Sequence, residues 1–173
     1  MIIRQEIESD YLITESVIKD AFKNADYSDS HESFLVQKLR QSLDFIPQLS
    51  IVAEIKGRIV GHILFSKILI IGSNNYESIA LAPISVLPDY QKRGIGSKLI
   101  LEGLLRTKLL GFESVIVLGH KDYYPRFGFE KASRWSIYCP FEVPDENFMA
   151  IELKKDSLAG KSGIVKYSEE FGL

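Results

Sequence analysis

Cysteine is almost missing from this chain: Cys139 is the only one among 173 residues. An intrachain disulfide is therefore excluded, and so are the paired-cysteine spacings of structural metal sites. Histidine occurs three times and tryptophan once. No apolar run approaches the roughly 20 residues that span a bilayer. The opening Met1-Ile2-Ile3-Arg4-Gln5-Glu6 carries charge where a secretory leader needs an uninterrupted apolar stretch. Neither sign of charge dominates, since 21 basic residues face 23 acidic ones for a formal net charge of -2. Nucleic-acid-binding domains are ordinarily basic. These absences lead us to expect a cytoplasmic protein with no metal, no nucleic-acid partner and no membrane partner.

What is present is an ordinary globular composition, 46% hydrophobic and 25% charged. The length suits a single domain over 1–173. A short strand is expected over 2–6. Asp10 is placed to cap a helix whose apolar positions are Leu12, Ile13, Val17, Ile18, Ala21 and Phe22. Residues 24–30 are polar and turn-rich. A second apolar stripe runs through Phe34, Leu35, Leu39 and Leu43, and Pro47 is expected to close it. Strands follow over 50–55 and 58–71, joined by a Lys56-Gly57 hairpin turn. After a turn at 72–75, a third strand runs over about 77–86. Pro83 inside it cannot donate to a ladder and marks a bulge, an edge or a splay point. A helix over 95–110 carries Leu99, Ile100, Gly103, Leu104 and Thr107 at helical spacing, with Gly111 just past its end. A buried strand over 114–118, a helical turn over 122–127 and strands near 135–139 and 148–153 complete the chain. This order predicts a mixed α/β sheet, not a doubly wound one, with the 95–110 helix joining two parallel strands.

The informative segment is Gln91-Lys92-Arg93-Gly94-Ile95-Gly96, between a strand and the start of a helix. Free amides around two glycines, together with the helix dipole, form an anion site. Lys92 and Arg93 add charge, and Ser97 adds a hydroxyl. The mononucleotide P-loop and the dinucleotide fingerprint both fail on spacing. Alone, Gly-x-Gly is as often a plain tight turn. Here, however, the spacing matches Gln/Arg-x-x-Gly-x-Gly/Ala of the GCN5-related N-acetyltransferase (GNAT) family. The lead-in Ile84-Ser85-Val86-Leu87-Pro88 resembles that family's strand and turn. Tyr123-Tyr124-Pro125-Arg126-Phe127-Gly128-Phe129 resembles its tyrosine-glycine-phenylalanine element. Ile3-Arg4, Asp10 and Ala21-Phe22 are similar to its opening strand and helix. Val117-Leu118-Gly119 and the ending Gly163-Ile164-Val165-Lys166-Tyr167 resemble the bacterial YhbS-like branch. The resemblance covers about 2–153, with 154–173 as a C-terminal extension.

The resemblance implies the acyl-CoA N-acyltransferase fold: a mixed, mostly antiparallel sheet flanked by helices, with a splayed parallel strand pair. It implies acetyl-CoA as cosubstrate. The pantetheine arm would pair with Ile84 and Val86. Gln91, Lys92, Arg93, Gly94, Gly96 and Ser97 would surround the diphosphate. Tyr124 would serve as the acid for the departing thiolate, and a backbone N–H near Val86 would face the oxyanion. The implied activity is acetyl transfer to a primary amine of a small molecule or peptide, by direct attack in a ternary complex. The alternative is a non-catalytic acyl-CoA-binding or sensing domain of the same fold. The general base stays open among Glu54, Glu77, His62, His120 and Asp122. Either a monomer or a homodimer is compatible with the sequence. Cys139 reads as a structural thiol. Trp135, Tyr138 and Phe141 read as core or as an acceptor-side cluster.

Overall fold

The chain opens with β1 (Ile2–Gln5), in a computed structural model that describes residues 1–23 and 31–172. The turn-rich segment expected at 24–30 lies outside the described residues. The chain forms two units, Met1–Ser66 with Ala82–Arg106, and Lys67–Leu81 with Thr107–Leu173. No helix among the described residues is long and apolar enough to cross a membrane.

In the first unit, β1 pairs antiparallel with β2 (Phe45–Ile55), which pairs antiparallel with the first part of β3 (Arg58–Ile71). Lys56 and Gly57 both take positive φ, +51° and +76°, as a two-residue hairpin turn demands. Pro47 does not terminate a helical stretch as expected. It lies inside β2, where the register slips between Phe45 and Ser50. A proline fits such a slip because the bulged residues owe no ladder bond.

The helix α1 (Tyr11–Phe22) follows a 3-10 turn at Glu8–Asp10. Asp10 sits at the helix start but makes no side-chain cap. Its carboxylate accepts from both terminal nitrogens of Arg4, at 2.6 and 3.0 Å, and from the Ile7 amide at 3.0 Å. A guanidinium offers a charged, forked donor pair, which outcompetes a single neutral cap bond. The buried face of α1 is Thr14, Val17 and Ile18, leaving Leu12 and Ile13 exposed. In α2 (Glu32–Leu39) the buried positions are Ser33, Val36 and Leu39. Phe34 is exposed, and Leu43, beyond the helix, is 99% exposed. Of the expected stripes, Val17, Ile18 and Leu39 are buried, while Leu12, Ile13, Phe34 and Leu43 are not.

The helix α3 (Ile95–Leu109) buries Leu99, Ile100 and Leu104. Gly103 is required by packing: a Cβ there would lie 2.1 Å from the Phe65 ring.

The second unit holds most of β4 (Asn75–Val86), with β5 (Ser114–Leu118) parallel to it. That ladder contains only Ile79 opposite Val115 and Ala80 opposite Ile116, although β5 continues to Leu118. Two very short strands, β6 (Glu130–Lys131) and β7 (Ile137–Tyr138), precede β8 (Phe148–Glu152), which runs antiparallel to β5 and to β6. An element absent from the sequence reading, β9 (Gly163–Lys166), lies antiparallel to the end of β3 and parallel to β7. Antiparallel and parallel ladders thus coexist, the mixed α/β architecture expected. The core of this unit gathers Ile68, Ile70, Ile116, Ile137, Phe148 and Val165, with Trp135 and Cys139 packed at its margin.

Candidate functional site

The last residues of β4 present one edge of their backbone in a fixed way. The Leu87 amide donates to the Val60 carbonyl at 2.9 Å. In extended chain, neighbouring residues direct their N–H and C=O groups to opposite edges. Ile84 and Val86 therefore turn theirs away from β3. A 3-10 turn at Pro88–Tyr90 then redirects the chain, held by the Tyr90 amide on the Leu87 carbonyl at 2.8 Å. The Gln91 side chain folds back and donates to the Val86 carbonyl at 3.0 Å. Gln91 thus shapes the turn from within.

Lys92 and Gly94 both take positive φ, +59° and +77°. A Cβ on Gly94 would meet nothing within 4 Å, so glycine is needed there for conformation, not for space. The first backbone bond of α3 runs from the Lys98 amide to the Gly94 carbonyl at 3.1 Å. Among the described residues, none accepts a hydrogen bond from the amides of Arg93, Gly94, Ile95, Gly96 or Ser97. These are the orphan donors of a helix start, sharing its partial positive charge. The buried Ile95 side chain anchors the turn, Gly96 and Ser97 are half-buried, and Gln91, Lys92, Arg93 and Gly94 are exposed. Exposed amides at a helix start are chemically suited to holding an anion.

In the second unit, Tyr124 begins a 3-10 turn, Tyr124–Phe127. The amides of Tyr123 and Tyr124 both donate to the His120 carbonyl, at 3.0 and 3.4 Å. Gly128, at φ +95°, closes the turn. The Tyr124 ring is 6% exposed and stands edge-on to Tyr123 and Phe129, with centroids 5.2 and 5.7 Å away. Burial pushes its phenol well above the usual tyrosine range. The group stays protonated at neutral pH and can donate. Gly119 is a residue whose role the sequence did not reveal. A Cβ there would lie 2.2 Å from the Tyr124 ring, so only glycine lets that ring sit where it does.

The candidate bases separate by environment. Glu54 accepts from the Arg4 Nε at 3.0 Å, and Glu77 faces Lys67 at 3.8 Å. His120 and Asp122 are exposed near the Tyr124 turn. His62 is fully buried, and burial pulls its imidazole down to about 4. Its Nε2 lies 3.0 Å from the Ser50 Oγ, and that hydroxyl donates to Glu6 at 2.6 Å. Ser50 has one hydrogen to give, so Nε2–H donates to Ser50. Nδ1 has no partner among the described residues. Glu6 also accepts from Arg40 at 2.7 Å, and Arg40 reaches Glu15 at 2.8 Å. This buried chain ties β1, β2 and β3 to both α1 and α2. Nothing local in the sequence announces it, because its members lie far apart along the chain.

Among the other residues singled out, Tyr138 and Phe141 are exposed and Trp135 packs on the core. Burial pushes the Cys139 thiol up, against its hydrogen bond with Phe141. The thiol is therefore kept from ionising, as suits a structural cysteine.

Comparison with known proteins adds an independent finding. The acetyltransferase (GNAT) domain profile matches residues 47–131. YhbS of Escherichia coli K12, named an uncharacterised N-acetyltransferase, is 30% identical over 171 residues, 99% of this chain and 98% of that protein. YjhQ of the same organism, named likewise, is 39% identical over 120 residues; the match takes in 68% of this chain and 66% of YjhQ. The crystal structure of Escherichia coli YhbS in complex with CoA superposes with a TM-score of 0.87 at 28% identity, covering 99% of this chain and 92% of that one. A Brucella melitensis GNAT acetyltransferase in complex with acetyl-CoA gives a TM-score of 0.81 at 33% identity, covering 98% and 97%.

Proposed function

The chain belongs to the GNAT family of acetyltransferases, and from that premise we propose that it moves the acetyl group of acetyl-CoA to a primary amine of a small molecule or peptide. The observation that carries this reading is the run of amides from Arg93 to Ser97, at the start of α3, that have no acceptor among the described residues. Relatives crystallised with CoA and acetyl-CoA support it.

In this reading the diphosphate is held by the amides of Arg93, Gly94, Gly96 and Ser97, with Lys92 adding charge. Gln91 contributes by fixing the turn. The backbone edge at Ile84 and Val86, whose Val86 carbonyl already accepts from Gln91, pairs with the pantetheine arm as an added strand would. A neutral amine attacks the thioester carbonyl, the C–N bond forms, the C–S bond breaks, and the thiolate leaves. Tyr124 protonates that thiolate. The amine's surplus proton goes to a base or to water, and the exposed His120 and Asp122 are the open candidates. Glu54 and His62 are committed elsewhere, as the Arg4 and Ser50 bonds indicate.

The test is calorimetric titration with acetyl-CoA, followed by a screen of amines for release of free CoA. Binding with thiol release supports the reading. Binding without release to any amine favours the acyl-CoA sensor, and no binding at high micromolar concentration overturns both.

A further inference from the structure

Seven arginines occur in the chain. Arg4, Arg40, Arg106 and Arg134 are all paired with carboxylates, and Arg126 donates to the Tyr123 carbonyl. Arg58 and Arg93 are different: among the described residues, neither has an acidic partner. Both are exposed, and both are found at the same aromatic ring. The Arg58 guanidinium lies 5.8 Å from the Tyr90 ring centroid, and the Arg93 guanidinium 5.4 Å. Their carbons are therefore no more than about 11 Å apart, the sum of the two distances. Asp89, the acid of the Pro88–Tyr90 turn, pairs with neither.

Local structure explains the arrangement. Arg58 is the first residue of β3, immediately after the Lys56-Gly57 turn, and closes the hairpin opposite Ile55. The Leu87 amide on the Val60 carbonyl brings the start of β3 beside the end of β4. Tyr90 is half-buried, and its backbone is fixed by the Leu87 carbonyl. The ring is thus a platform on which two guanidinium groups rest. Like charges gathered without a counter-charge repel, in a chain whose acids outnumber its bases by 23 to 21. Such a cluster is stabilised when an anion arrives. A guanidinium is also the side chain whose planar fork matches a phosphoryl group.

We infer that Arg58 is a phosphate-binding residue for the acyl-CoA, acting with Arg93 across Tyr90 on a phosphoryl group of the cosubstrate. This rests on the proposed acetyl-CoA reading and adds to it a residue from a strand outside the glycine turn. Arg58 touches no reacting atom, so it acts on cosubstrate affinity and not on the chemical step. CoA offers two kinds of phosphoryl group, the 5′-diphosphate and the 3′-phosphate. Dephospho-CoA keeps the first and lacks the second.

The experiment measures dissociation constants of CoA and dephospho-CoA by calorimetry for the wild type, Arg58→Gln and Arg58→Lys, at low and high salt. Arg58→Gln is expected to weaken CoA roughly tenfold, the scale of one charge-assisted hydrogen bond at an exposed site. Arg58→Lys should fall between the two, and the salt dependence of CoA binding should be shallower in Arg58→Gln. A loss confined to CoA assigns Arg58 to the 3′-phosphate; an equal loss for dephospho-CoA assigns it to the diphosphate. Either supports the inference. In steady state, KM for acetyl-CoA should rise with kcat unchanged. Wild-type affinity for both ligands in Arg58→Gln would overturn it while leaving the acetyl-CoA reading standing. Failure of the wild type to bind CoA would remove both.

Discussion

At the residue scale, the chemistry assigned to this chain is that of groups kept in one protonation state by burial. Tyr124 is the proposed donor to the leaving sulfur because burial keeps its phenol protonated, and so able to donate, near neutrality. Tyr124→Phe should lower kcat on the order of a hundredfold, the lower range for a lost general acid, and leave the dissociation constant of acetyl-CoA within about twofold. Unchanged turnover would remove Tyr124 from the mechanism. Gly119→Ala should produce a similar loss by displacing the same ring, since its Cβ would intrude at 2.2 Å. His62 shows burial acting on stability. Its imidazole is pulled from 6.5 to about 4 in the folded chain. Between those values the unfolded chain binds a proton that the folded chain refuses, so stability falls as pH drops from 6.5 toward 4. By pH 4 the loss from this group is about 3 kcal/mol. Above 6.5 the histidine contributes no pH dependence. Urea unfolding across this range should show a shallower acid slope in His62→Gln than in the wild type. Parallel slopes would mean that the buried histidine is not the group that titrates.

At the element scale, the turn into α3 is held by two positive-φ residues, Lys92 and Gly94. Gly94→Ala forces a Cβ into φ +77° with open space around it. The cost is therefore conformational, roughly 1–2 kcal/mol. Acetyl-CoA affinity should fall because the amides of Ile95 to Ser97 lose their arrangement, and calorimetry of the variant tests this. Gly103→Ala is the packing counterpart. It overfills the contact with Phe65, should cost about 1–3 kcal/mol, and should be partly rescued by Phe65→Leu in thermal unfolding. Legibility differed among elements for physical reasons. The glycine turn and α3 could be read because positive φ and a helix start leave a local residue signature. The faces of α1 and α2 could be read only in part, at Val17, Ile18 and Leu39, because the rest of the buried stripe is chosen by what lies opposite. Thus Ser33 is buried while Phe34 is not, and Asp10 is drawn to Arg4 instead of capping. Pro47 was read as a stop because nothing local signals a register slip. β9 was missed because four residues of Gly163–Lys166 have no period of their own and are strand only by pairing with β3.

At the scale of the whole molecule, family membership and the turn at the start of α3 support the same proposed ligand. The family follows from sequence identity along nearly the entire chain. The turn follows from φ angles and unpaired amides, with no reference to any relative. The buried Glu6–Ser50–His62 and Arg40–Glu15 contacts secure α1 and α2 to the strands of the first unit without entering the proposed chemistry. In the proposed function the amides from Arg93 to Ser97 hold the diphosphate of acetyl-CoA. Isothermal titration of acetyl-CoA into the wild type and into Gly96→Leu tests it most directly. The wild type should bind saturably, and a Gly96→Leu protein with unchanged circular dichroism should not. Equal affinity in the two proteins would contradict it.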